Sequence, residues 1–412
     1  MQPANIPAPP LGRPVLLAIA GLGVTQIIGW GSTYYVLTII GGAISRDLAI
    51  SPALVSGGLS LLLLLGALTG PYAGRFMDRH GARPAMAAGS VVAATGLGLL
   101  AISAGAASYI AAWLVIGLSA GLILYPAAFT ALTQAAPGNA RRAITLLTLP
   151  GGLASTVFWP LTSYLGTFLD WRSICLVYAG LNLLICLPVH LLLLPRTGSG
   201  AVVTQVTGSP GPEGLPEAAR PRAFLLFAGM LALNALLVTG LLNQILALLT
   251  ALGRTPEQAV LFGMVFGISQ LSARVVDLLA AHRTDALRTA VAVAVGFCLS
   301  MAMLAFAGVS LPAALLFAVL LGASNGVLTI VRGTLVLELF GIRGYGEKFG
   351  TITVAQGIAG AIGPVVFSAL LSVAGPRAAV AFCLATAMLG LVAMLALFRH
   401  VSRVANSRGS VP

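Results

Sequence analysis

Charge is the scarcest property of this chain. Only 8% of its 412 residues are charged and just 10 are acidic, whereas soluble domains run to about a quarter charged. Cysteine is nearly as rare. Cys175, Cys186, Cys298 and Cys383 each stand alone in apolar surroundings, with no CxxC pair and no metal-like spacing to histidine, so they read as small buried hydrophobes. Catalytic signatures are missing as well. His80, His190, His282 and His400 fall in or beside the ends of apolar runs on one side, and no HExxH, GxSxG, phosphate loop or paired carboxylates accompany them. GLGVTQ (Gly21 to Gln26) lacks the third glycine of a dinucleotide site. These absences argue against an enzyme, a cofactor or a metal centre, and leave ion or solute gradients as the energy source for any transport.

What the chain has in quantity is apolar length. Hydrophobic residues make up 58% of it, and runs of about 20, enough to cross roughly 30 Å of hydrocarbon, recur from Val15 to Phe398. The expected spans are 15–40, 52–73, 84–104, 108–133, 143–168, 173–194, 223–250, 258–280, 287–308, 311–337, 349–372 and 378–398. Backbone polar groups in lipid must be satisfied within their own segment, so runs this long read as helices; the short alternating strands of a barrel are not seen. The fold class is therefore all-α, an integral membrane protein of twelve transmembrane helices. The stretch before Arg13 is proline-rich and has no short apolar core ahead of a cleavage site, so the first helix is expected to be a retained anchor.

A formal net charge of +12 invites a nucleic-acid reading, but the placement of the basic residues excludes it. With the N-terminus on the cytoplasmic side, the inside segments hold 16 of the 22 Lys and Arg and the outside segments hold Arg46, Arg172, Arg254 and Arg377. That is a positive-inside bias, expected of a plasma (inner) membrane protein with both termini cytoplasmic. The bilayer is the expected partner, and nucleic acid is not. One hydrophilic stretch, RTGSGAVVTQVTGSPGPEGLPEAARPR, interrupts the pattern between helices six and seven; its composition suits a flexible linker. The expected organisation is a tail over 1–14, a six-helix bundle over 15–195, the linker over 196–222, a second bundle over 223–398 and a tail over 399–412. An echo joins the halves: Arg75 and Asp78 after helix two are matched by Arg274 and Asp277 at the end of helix eight, as expected of a duplicated carrier.

GRFMDRHGAR (Gly74 to Arg83) resembles the signature of the major facilitator superfamily, through Gly74, Asp78, Arg79, Gly81 and Arg83 in the loop after helix two. The resemblance covers all twelve helices. It implies two pseudo-symmetric bundles, a cavity lined by helices one, four, seven and ten, and a closing latch from these five residues to the start of helix eleven, near Lys348 to Thr351. GWGSTYY (Gly29 to Tyr35), ARRAITLLTLPGGLAST (Ala140 to Thr156) and ARVVDL (Ala273 to Leu278) resemble the monocarboxylate porter and oxalate-formate antiporter branch, which implies that Arg274 binds a substrate carboxylate.

Other candidates follow from cost, because an ionisable group inside a span is expensive unless a cavity or a partner receives it. Arg274 is read either as an anion site or as a structural copy of Arg75 paired with Asp277. Arg332 in helix ten is a second anion candidate, with snorkelling to the interface as the alternative. Gln26, Trp30 and Tyr34 recur at helical spacing on one face. With Tyr125, Asn243 and Asn325 they form either a cavity wall or ordinary interhelical hydrogen bonds. Asp277 is a candidate for proton coupling. PGGLAST (Pro150 to Thr156) and GIAGAIGP (Gly357 to Pro364) read as hinges or packing faces. The expected function is a monomeric secondary transporter of a small organic anion, the main alternative being proton-driven efflux of a drug, sugar or metabolite. Helix four lacks the arginine of drug/proton antiporters. A non-transporting sensor is the reading from another class.

Overall fold

The structure, a computed structural model, describes residues 11–195, 214–280, 285–307 and 310–409. Helices one to six are Arg13–Asp47, Pro52–His80, Ala82–Ala101, Ala106–Ala135, Pro137–Leu165 and Trp171–Leu193. Helices seven to ten are Arg220–Ala251, Pro256–Ala280, Ala286–Ala305 and Leu311–Phe340. The last helical stretch, Tyr345–Gly409, has 65 residues. At 1.5 Å per residue that is roughly 98 Å, about three hydrocarbon thicknesses. Gly375 (φ 79°, ψ 178°) breaks it ahead of Pro376, giving helix eleven (345–374) and helix twelve (376–409). Eleven apolar stretches, the last of 62 residues, thus hold twelve crossings, and the start of helix one and the end of helix twelve lie at one face, here called the terminal face.

Local chemistry sets the boundaries. Ser51, Asp170 and Asp285 accept hydrogen bonds from the first-turn amides of Leu54, Ser173 and Arg288 at 3.2, 2.8 and 2.6 Å, satisfying donors that a helix start leaves free. Gly81 turns helix two into helix three at φ 85°, a left-handed conformation natural to glycine.

Every internal interruption lies in the first six helices. Gly31–Tyr35 and Asn182–Cys186 are π-helical, helix four is extended at Leu124, and helix five breaks at 152–153 after Pro150. Helices seven to ten run uninterrupted, and helix eleven passes GIAGAIGP without a break. The two π segments are tied together, Asn182 Nδ2 donating to Ser32 Oγ at 3.2 Å. In helix eleven the same kind of run is a packing face: Thr239 Oγ1 of helix seven donates to the Gly360 carbonyl at 2.8 Å.

Packing is asymmetric along the membrane normal. Toward the terminal face one apolar core runs through both bundles, with Met77, Phe129 and Ile144 continuous with Leu335, Phe340 and Phe349. Toward the opposite face the first bundle keeps a core of its own around Ile44, Trp113, Phe158 and Tyr178. The bundles are therefore joined at one face and independent at the other.

Most of the expected linker, 196–213, lies outside the described residues. From Gly214 onward the chain is docked: Leu215 is buried, and its amide donates to the Leu339 carbonyl at 2.8 Å. That carbonyl is one of the last four of helix ten, which lack intrahelical donors. Residues 214–222, expected as linker, thus reach helix ten through Leu215. His190 is not a surface group at the end of helix six. It is 1% exposed and lies between Ser90 and Thr25, whose hydroxyls are 2.9 and 3.1 Å from its ring nitrogens.

Candidate functional site

The break in helix four builds the centre of the site. Ile123 closes the upper segment, and Pro126 near the start of the lower one cannot continue the hydrogen-bond ladder. Gln26, fully buried, donates from Nε2 to the Ile123 carbonyl at 2.7 Å. The expected face of helix one is thus divided in role: Gln26 braces helix four, and Trp30 and Tyr34 stay half-buried beside it. Tyr125, at the break, packs against Trp30 with ring centroids 5.5 Å apart, and Trp30 packs against Tyr34 at 5.7 Å.

Two guanidinium groups bear on Tyr125. Arg332 Cζ lies 5.4 Å from the ring centroid, and Arg274 approaches from the hydroxyl side. Arg274 is 4% exposed; its Nη1 donates to the Thr148 carbonyl at 2.8 Å and its Nε to the Gly326 carbonyl at 3.2 Å. Gly151 and Gly152 make this approach possible. A Cβ at Gly151 would lie 2.5 Å from Tyr125 Oη, and one at Gly152 would overlap Arg274 Nη1. The lower end of helix five, the end of helix eight and the middle of helix ten therefore meet through one arginine.

Among the described residues neither arginine has a carboxylate partner. Three polar atoms at this level, Arg332 Nε, Trp30 Nε1 and Gln26 Oε1, are buried without a hydrogen-bond partner. Buried unpaired donors each cost on the order of 1–3 kcal/mol, and an unpaired buried charge several. The arrangement has the chemistry of an anion receptor: positive charge, free N–H groups and aromatic walls.

The remaining candidates are dispersed. Asn325 is half-buried in helix ten, one residue before Gly326. Asn243 is exposed in the outer part of helix seven. Asp277 is half-buried one helical turn beyond Arg274 and has Arg141 as its electrostatic neighbour; no ion pair joins it to Arg274 among the described residues.

At the terminal face, Asp78 accepts two backbone hydrogen bonds, from Gly346 at 3.0 Å and Glu347 at 2.8 Å. These amides replace the expected region of Lys348 to Thr351, because helix eleven starts at Tyr345 and its free first-turn N–H groups come earlier. Arg75 pairs with Glu347 at 2.5 Å, a partner that no signature flagged. A Cβ on Gly74 would overlap the Gly346 carbonyl, and one on Gly350 the Gly70 carbonyl, so the two helices touch backbone to backbone. Arg79 is exposed and acts on Glu347 through space, Arg83 is half-exposed, and Gly81 supplies the turn.

The same face corrects the sequence echo. Gln134 Oε1 accepts from the Ala82 amide at 2.9 Å, and Glu338 Oε1 accepts from the Ala286 amide at 3.0 Å, each pair 52 residues apart. Ala82 and Ala286 are thus equivalent starts of helices three and nine. Arg75 is exposed at the terminal face and pairs with Glu347, whereas Arg274 is buried against the Thr148 and Gly326 carbonyls. Arg274 and Asp277 therefore do not repeat the contacts that Arg75 and Asp78 make. Glu338 further reaches Arg141 across the bundles at 3.7 Å.

Two six-helix bundles, sealed at one face and holding unpaired cationic groups where they meet, define a polytopic membrane transporter rather than an enzyme. The profile of the Major Facilitator Superfamily matches residues 22–310, and the chain belongs to that superfamily. An MFS-type transporter of Gibberella moniliformis (strain M3125 / FGSC 7600) is 24% identical over 336 residues, spanning 79% of this chain and 77% of the relative. An uncharacterized 38 kDa protein in the 23S RNA operon of Thermoproteus tenax is 26% identical over 92% of this chain and 94% of its own. Among solved structures, the human organic anion transporter MFSD10 (TETRAN) superposes with TM-score 0.68 at 18% identity, covering 94% of this chain and 100% of that one. The proton:xylose symporter XylE bound to 6-bromo-6-deoxy-D-glucose gives 0.71 at 14% identity, covering 93% and 95%. At such identities the likeness is one of fold.

Proposed function

We propose that this protein is a secondary transporter working by alternating access, and that it carries a small organic anion such as a monocarboxylate. One observation carries the reading: Arg274 and Arg332 converge on Tyr125, and among the described residues neither forms an ion pair with a carboxylate. A guanidinium forks naturally onto a carboxylate, and an anion arriving at Arg332 Nε and Trp30 Nε1 would satisfy donors now unmet. Arg332 is the binding group, since Arg274 already spends donors on two carbonyls. The terminal face is assigned to the cytoplasm of a cell (inner) membrane from its basic residues, so this conformer is closed inward. The functional unit is taken as a monomer that needs no nucleic acid. Asp277 is assigned to proton coupling on its partial burial beside Arg141.

The experiment is counterflow in proteoliposomes with a panel of carboxylates and neutral sugars, with and without a pH gradient. Wild type should exchange carboxylates; Arg332→Ala should raise KM at least tenfold, Arg332→Lys should recover part of the loss, and Asp277→Asn should remove the response to the gradient. Exchange of sugars but no anions would favour the efflux or sugar reading. Saturable binding without flux would favour a sensor.

A further inference from the structure

The residues around Arg332 say more about the anion than its charge. Trp159, Tyr35, Tyr34, Trp30, Tyr125, Phe129, Phe349 and Tyr345 form an unbroken chain of ring contacts, with centroid separations of 6.0, 5.1, 5.7, 5.5, 5.3, 5.8 and 5.7 Å in that order. The chain crosses from helix five through helix one to the lower part of helix four, and ends on helix eleven beside the Asp78 closure. Membrane interiors need no such column, because lipid-facing or core positions are filled as well by Leu or Ile. Aliphatic residues would pack there; rings in edge and tilted contact add a polarised surface.

At the midpoint of the column the rings meet the unpaired donors. Trp30 presents its ring to Tyr34 and Tyr125 and keeps Nε1 without a partner, and Arg332 lies over the Tyr125 face with Nε also unpaired. Trp30 and Tyr34 are only half-buried, so they border accessible space. A ligand that places a carboxylate on these two N–H groups must lay the atoms next to that carboxylate against Trp30, Tyr34 or Tyr125.

We propose that the transported anion is a carboxylate carried directly on a planar aromatic ring, its charge on Arg332 and Trp30 Nε1 and its ring inserted into the aromatic column. The inference rests on the anion reading above and narrows it. A saturated anion of equal size would gain the charge contacts but not the ring contacts. Each ring pair contributes on the order of tenfold in affinity.

The test measures binding and counterflow of benzoate against cyclohexanecarboxylate, which match in carbon count and charge and differ in planarity. Wild type should prefer benzoate by about tenfold or more. Trp30→Leu should bring the ratio toward one, whereas Trp30→Phe, which keeps a ring but loses the N–H, should hold the ratio while weakening both ligands. Quenching of tryptophan emission by benzoate, lost in both Trp30 variants, reports binding without transport. Equal handling of the two acids by wild type, or transport restricted to short aliphatic carboxylates, would overturn this proposal and leave the anion reading standing. Failure to bind any carboxylate, with uptake of a neutral solute, would overturn both.

Discussion

Asp78 and Arg75 lie one turn apart on helix two and both reach helix eleven, yet they are not energetically equal. The Arg75–Glu347 pair is solvent-exposed, with side chains 50% and 39% accessible, and such pairs contribute about 0–1 kcal/mol. Asp78 places a carboxylate on two amides at a helix N-terminus, where charge-assisted hydrogen bonds contribute up to about 1.5–3 kcal/mol, offset in part here by desolvation of the carboxylate. Asp78→Asn should therefore shift the closed conformer by roughly tenfold and slow turnover, with substrate affinity changed less than about twofold. Arg75→Ala should change turnover little. Alkylation of a cysteine placed near Gly350 reads the closure directly. An Arg75→Ala defect larger than that of Asp78→Asn would reverse this ranking. Asp78 stood out in the sequence because acids are so few; Gly346 and Glu347 did not, because they contribute amides.

At the scale of elements, the π segment in helix one is the feature that seats the site. It widens the helix between Trp30 and Val36, and Gly31 lets Phe158 of helix five press against the backbone. A Cβ at Gly31 would overlap the Phe158 ring, which is 2% exposed and has no free space to move into. Gly31→Ala should cost about 1–3 kcal/mol by overpacking, read as a lower apparent melting temperature in detergent. Combined with Phe158→Leu, the loss should be smaller than the sum of the two single losses, and strict additivity would mean that Phe158 is not the obstacle. Such irregularities were unevenly legible beforehand. Pro150 with Gly151 and Gly152 marked helix five as a hinge or packing face, whereas Pro126 was a signal for the break in helix four that the span pattern passed over. Nothing in GSTYY announces a π turn, since its cause is packing against Phe158 and the Asn182 bond to Ser32. The twelve spans were legible because hydrocarbon thickness fixes their length. The burial of Arg274 against two carbonyls was not, because a short charge pattern does not say what packs against it.

For the whole molecule, the interrupted helices all belong to the first bundle and the second is built of continuous rods. A continuous helix in lipid bends at a cost, whereas a helix already broken has backbone bonds free to rearrange. Rocking between states should therefore be a deformation of the first bundle against a stiff second one. Hydrogen exchange should be faster at 31–35, 123–126, 152–153 and 182–186 than at the corresponding depths of helices seven to ten, and slower when substrate is bound. Uniform exchange across the halves would argue for two rigid bodies instead. The continuous core at the terminal face and the separate core beyond it already divide the molecule into a fixed and a parting end.

The Asp78 contact has a consequence for how this protein can change over time. Its donating half consists of peptide N–H groups, which almost any residue type supplies, so for this contact position 347 is free to drift, whereas 346 is held to glycine because a Cβ there would press on the Gly74 carbonyl. The accepting acid is held fixed while the amide of 347 leaves no letter in the sequence. Two descendants of one ancestor could preserve the same closure and share only half of its record.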